Sequence, residues 1–99
     1  MSEKNITNIL LELKKLKQTY QQEYRLKSLG IFGSYARKEA KENSDVDIFF
    51  ETEQPNLFKT AHLRLELEEL LGLPVDLVRL RNNMNPKLKL NIQKEGIYV

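Results

Sequence analysis

The chain has 99 residues, 40% of them hydrophobic, with 16 basic and 14 acidic residues and a formal net charge of +2. That is room for one small domain with a core and not for two, and so even a charge balance argues against a dedicated nucleic-acid binder, which carries a stronger basic excess. The absence of cysteine excludes disulfide staples and Cys-based zinc sites, and the single His62 cannot build a His-rich metal centre.

No apolar run is long enough to cross a bilayer, and Met1 to Asn8 is too polar for a signal peptide. A soluble, cytoplasmic protein is expected.

In chain order, Ile6, Ile9, Leu10, Leu13, Leu16 and Tyr20 recur at helical spacing and predict an amphipathic helix over Asn5 to Gln22. Arg25 to Phe32 reads as a strand with Leu29 and Ile31 on one face and Gly30 and Phe32 on the other, broken by Gly33. Ser34 is placed to cap a short helix running to Ala40 or Lys41, and Glu42-Asn43-Ser44 is a polar turn. Val46, Ile48 and Phe50 alternate with Asp45, Asp47 and Phe49, the pattern of a half-buried strand. Leu57 to Leu71 predicts a second long helix, with Leu63, Leu67, Leu70 and Leu71 inward, ended by Gly72 and Pro74. Val75 to Leu80 is a third strand. Asn85-Pro86 opens a last helix to about Lys94, stopped by Gly96, and Ile97 to Val99 supplies a short terminal strand. The alternation of helices and strands is that of an α/β or α+β domain, a small sheet with helices packed on it.

Three features carry chemistry. The Gly33-Ser34 turn offers backbone N–H groups and a hydroxyl to a phosphate. Ten residues after Ser34 come Asp45 and Asp47, which at i and i+2 on a strand share a face and can hold Mg²⁺. Phe49 on that same face suggests a cleft wall rather than open surface. Asp76 sits among apolar residues in the third strand, where a carboxylate is costly unless solvated, paired or ligating. Were the two strands neighbours, three mutually repelling carboxylates would converge and call for a cation.

Each element alone also has a plain structural explanation. The aspartate pair is then a solvated strand face, Asp76 an edge-strand guard against aggregation, and Ser34 a helix cap. Arg37 neutralises a phosphate or simply pairs with Glu39 or Glu42. His62 lies outside the constellation and reads as structural or surface.

The ordered set Phe32-Gly33-Ser34-Tyr35-Ala36-Arg37, then Ser44-Asp45-Val46-Asp47-Ile48, then Asp76 resembles the minimal nucleotidyltransferase family, the smallest members of the DNA polymerase beta-like superfamily. The likeness extends over residues 1–99 as a single domain. One departure is Lys38, where the family pattern usually has glycine after the arginine.

The resemblance implies transfer of a nucleoside monophosphate from an NTP, with ATP as substrate and two Mg²⁺ ions as cofactors. Gly33 and Ser34 would hold the β- and γ-phosphates, helped by Arg37. Asp45 and Asp47 would bind metal, and Asp76 would complete the metal site and help deprotonate the acceptor hydroxyl. It further implies an antitoxin that adenylylates a tyrosine of a HEPN-domain toxin partner, in a hetero-oligomer. A chain this short leaves little room for an acceptor pocket, so the acceptor is expected on a separate macromolecule. The alternatives are a non-catalytic antitoxin acting by occlusion and a small-molecule nucleotidyltransferase of the aminoglycoside-modifying type. A nucleic-acid polymerase is disfavoured by size and weak basicity.

Overall fold

The computed structural model describes residues 5–41 and 44–99. The expected turn residues Glu42 and Asn43 lie outside the described residues, as does the start of the chain before Asn5. Eight elements follow in order: α1 (Ile6–Tyr20), β1 (Leu26–Phe32), α2 (Gly33–Ala36), β2 (Val46–Thr52), α3 (Leu57–Leu71), β3 (Val75–Arg79), α4 (Pro86–Glu95) and β4 (Ile97–Tyr98). The sheet order is β3-β2-β1-β4. β1 runs antiparallel to both β2 and β4, whereas β2 and β3 are parallel, so the sheet is mixed as expected. The parallel pair needs a crossover, which α3 supplies.

Local chemistry fixes the helix ends. The Asn5 side chain accepts from the Asn8 N–H and caps α1, and Asn56 does the same for α3 through the Lys59 N–H. Gly72 ends α3 in the left-handed conformation, φ +68°, that a side chain resists. Asn85 caps α4 with Pro86 in its first turn, where the missing N–H costs nothing.

Strand alternation sorts the side chains onto two faces. Leu29, Ile31, Val46, Ile48, Phe50 and Val75 meet Ile9, Leu13 and Leu16 of α1 and Leu63, Leu67 and Leu71 of α3 in the main core. Leu70 is not among them; it is 40% exposed, because its position on the helix carries it past the edge of the contact. On the opposite face Phe32 and Phe49 pack with Met84 and with Ile92 of α4.

Phe49 is therefore not a cleft wall. It is wholly buried beneath α4, in a tilted contact with Phe32 and an edge-on contact with Tyr98 at 4.9 Å between ring centres. Beyond this cover, towards the start of β2, the same face carries Asp47, half-buried, and Asp76, exposed. No helix among the described residues is long and apolar enough to cross a membrane.

Candidate active site

The register of the sheet assembles the site. Phe32, the last residue of β1, pairs with Asp47, and Asp47 pairs on its other side with Asp76. The chain turns immediately after Phe32, so Gly33 lies against the Asp47 carboxylate. A side chain at Gly33 would collide with Asp47 Oδ2, and the residue also has φ +73°. Both facts demand glycine. The turn and Asp47, separated in sequence, are thus side by side.

α2 is shorter than expected and is not capped by Ser34. It comprises Gly33–Ala36 only, its N-cap position is Phe32, and no side chain caps it. Ser34 is half-buried within the first turn. The helix stops because Lys38 takes φ +61°. The Lys38 N–H donates to Tyr35 O at 3.1 Å and the Glu39 N–H to Ser34 O at 2.8 Å. This is a Schellman stop with Lys38 in the left-handed position that glycine usually fills. The glycine preferred there serves the backbone turn, and Lys38 follows the same path at some cost in strain.

The electrostatics centre on Asp47. Burial, then the charges of Asp76 and Asp45, pushes its carboxyl from 3.8 up to about 6, and the Arg37 guanidinium opposes that rise. Asp45, on the exposed residue before β2, stands further out. Among the described residues the three aspartates do not form a group with one oxygen from each inside 4.8 Å of the others. Asp47 and Asp76 are the close pair. Arg37 is held by two carboxylates, Nε to Glu39 Oε1 at 2.9 Å and Nη1 to Glu95 Oε1 at 3.0 Å.

Glu95 was not anticipated from the sequence, although an acidic residue ending a helix, against the helix dipole, was a readable signal. A second unanticipated cluster lies at the other end of the sheet. There the Tyr24 hydroxyl donates to Glu66 Oε1 at 2.5 Å and lies 2.8 Å from His62 Nδ1. Glu23, His62 and Glu66 bring one ligand atom each within 4.8 Å of the others. Burial and the Glu66 hydrogen bond raise the Tyr24 pKa above its usual range. His62 is thus a surface residue with a structural partner.

The sequence pattern of the nucleotidyltransferase domain matches residues 13–99. The chain belongs to the nucleotidyltransferase domain family. This nucleotidyltransferase is 40% identical over 97 residues, 97% of its own length and 99% of the relative's, to a candidate protein adenylyltransferase of Methanocaldococcus jannaschii. It superposes on a solved candidate minimal nucleotidyltransferase with a TM-score of 0.78 and 31% identity, covering 98% of both chains. A chain from a toxin–antitoxin structure with AMP-PNP gives a TM-score of 0.75 and 26% identity, covering 89% of this nucleotidyltransferase and 69% of that chain. The fold is the small mixed sheet of the polymerase beta palm type, and the class of activity is nucleotidyl transfer.

Proposed function

We propose that this nucleotidyltransferase is an antitoxin that transfers AMP from ATP to a tyrosine hydroxyl of a HEPN-domain toxin, with Mg²⁺ as cofactor. The observation that carries the reading is the contact between the Gly33 turn and Asp47, itself in register with Asp76. A phosphate-binding turn and a carboxylate pair must be adjacent if one ligand is to touch both. The named relatives, a candidate protein adenylyltransferase and a toxin–antitoxin chain crystallised with an ATP analogue, support ATP as substrate and a toxin as partner.

The residues fit the implied metal. An all-carboxylate donor set suits Mg²⁺, and the Asp47 carboxyl, raised by burial and then by the charges of Asp76 and Asp45, is one that a cation would stabilise in its ionised form. Asp45, Asp47 and Asp76 would hold it. When bound, Mg²⁺ neutralises the phosphate oxygens and the charge that develops as pyrophosphate departs.

The chain's own residues do the rest. Gly33 and Ser34 receive the β- and γ-phosphates, and Arg37 adds a positive charge beside them. The acceptor oxygen attacks the α-phosphorus in line, its proton passes towards Asp76, and the bond to the β-bridging oxygen breaks to release pyrophosphate. Asp76 is exposed on the edge strand β3, so a macromolecular acceptor can reach it from solvent.

The test is incubation of the protein with ATP labelled at the α-phosphate, Mg²⁺ and a HEPN-domain partner protein, with Asp47→Asn as control. Label on the partner, lost with the variant and with a tyrosine-to-phenylalanine partner, is the expected result. A tight, inhibitory complex without label in any combination would make the protein an occluding antitoxin.

A further inference from the structure

Arg37 is held from two sides, and its two partners are not equivalent. Glu39 is two residues away in the same loop, and its side chain is 66% exposed. A pair of that kind contributes little. Glu95 arrives from the end of α4, and its side chain is only 29% exposed.

The backbone that carries Glu95 is firmly placed. The next N–H, that of Gly96, donates to Ile92 O at 2.7 Å, and Ile92 is fully buried in the second core. Gly96 itself presses on the Phe49 ring so closely that an added Cβ would crowd it. Phe49 is two residues from Asp47 on the same face of β2. Glu95 is therefore a fixed point referred to the strand that carries the site.

The Arg37 backbone is tied to its own turn, its N–H donating to Gly33 O at 3.0 Å, but its side chain is held by these two carboxylates. The residue follows a four-residue helix that ends in a strained turn. Its side chain is long, flexible and 43% exposed. The bonds to Glu39 and Glu95 use Nε and Nη1, which leaves the Nη2 corner of the planar fork for a third ligand. Arg37 directly follows α2, whose first residue, Gly33, lies against the Asp47 carboxylate, and its charge acts on Asp47.

Helix stability does not explain Glu95. A carboxylate on the last residue of α4 opposes the helix dipole and is unfavourable there. Its bond to Arg37 is the compensating interaction.

We propose that Glu95 is a positioning residue: it holds the Arg37 guanidinium so that its free edge meets the triphosphate of the incoming nucleotide. This rests on the nucleotidyl-transfer reading of the site.

The experiment measures ATP affinity in Mg²⁺ by calorimetry for wild type, Glu95→Ala, Glu95→Gln, Arg37→Ala and the double variant Glu95→Ala/Arg37→Ala. Glu95→Ala is expected to weaken ATP binding about tenfold, the scale of losing one oriented charge-assisted contact. The double variant is expected to bind no more weakly than Arg37→Ala alone, because Glu95 acts only through Arg37. Glu95→Gln, whose amide oxygen still accepts from Nη1, should recover most of the loss. In transfer assays the KM for ATP should rise with little change in kcat, and the melting temperature should hardly move, neither of which a merely structural role would give.

Unchanged affinity in Glu95→Ala, or additive losses in the double variant, would overturn the proposal. Tighter binding would do so as well, since the ion pair would then be withholding Arg37 from the nucleotide. Wild-type protein that binds no ATP overturns the nucleotidyl-transfer reading and this role with it. Normal binding by Glu95→Ala beside an active wild type overturns the Glu95 role alone.

Discussion

Asp47 pairs with Asp76 across the parallel β2–β3 ladder, so two carboxylates from strands joined by a long crossover share one face and one electrostatic environment. A fold maintains such a pair against its own repulsion. The charge of Arg37 only partly offsets it, being shared with Glu39 and Glu95. On the proposed reading, stability and activity therefore make opposite demands on Asp47.

Replacing Asp47 with Asn separates those demands. The amide keeps the size of the side chain, removes one repelling charge and cannot serve as an anionic ligand. AMP transfer should fall by roughly three orders of magnitude or more, the scale on which charge-stabilising groups act, while the metal-free protein melts at or above the wild-type temperature. Transfer near the wild-type rate would remove Asp47 from the catalytic assignment; a lowered melting temperature would show that its charge is already compensated.

The same carboxylate predicts a pH dependence. Its folded pKa lies at about 6 against an ordinary 3.8, so the folded state holds the proton more tightly than the unfolded chain does. Stability from this group is fully present below the ordinary value and is lost as pH rises through the folded one. Between these two values the metal-free wild type should lose stability relative to Asp47→Asn, with the difference levelling off above pH ~7. Added Mg²⁺ should reverse the loss at the upper end of that range and have less effect near pH ~4, where a proton occupies the carboxyl. Parallel melting curves for the two proteins across the range would contradict the assignment.

Most of this arrangement was legible in the sequence because the signals were local. Asn56 and Gly72 delimit α3 at the expected residues, and the period-two pattern of β2 puts Asp47 on the face opposite Ile48. The unread parts depend on what covers a face or meets it from afar. Parity placed Phe49 correctly but could not tell that α4 would bury it, and no local signal joins Arg37 to Glu95, 58 residues later. The length of α2 is hidden in the sequence for a different reason: its stop uses Lys38 in a conformation whose usual marker is glycine.

Lys38→Gly tests that last point. A lysine held at φ +61° carries backbone strain that glycine does not, roughly 1 kcal/mol. The substitution should raise the melting temperature by about 4–8 °C for a domain of this size. Transfer activity should be retained, since the backbone path is unchanged. A destabilised variant would mean that the lysine side chain makes a contribution larger than its strain.

Tyr24→Phe probes the far end of the sheet. The ring is buried and its hydroxyl ties Glu66 and His62 to the turn before β1. Losing that hydroxyl removes one of the donors to the half-buried Glu66, which keeps Tyr20 and His62 beside it, a loss of about 1 kcal/mol. Chemical denaturation should register it, while transfer by the folded enzyme stays at the wild-type rate, because the site lies at the opposite end of β1. A fall in kcat without a fall in stability would connect the two ends of the sheet.

Two glycines with nearly the same backbone angle provide the sharpest comparison. Gly33 and Gly72 have φ of +73° and +68°, so alanine at either position carries the left-handed penalty, about 1–2 kcal/mol. Their surroundings differ: nothing lies within 4 Å of a Cβ built on Gly72, whereas one on Gly33 runs into the Asp47 carboxylate. Gly72→Ala should therefore lower stability and leave transfer by the folded protein unchanged. Gly33→Ala must move Asp47 or the turn itself, and a displacement on the order of 1 Å in a reacting site costs about a hundredfold in rate. If both variants lost stability alike and neither lost activity, the Gly33–Asp47 contact would be a matter of packing only, and the turn would have no part in holding the nucleotide.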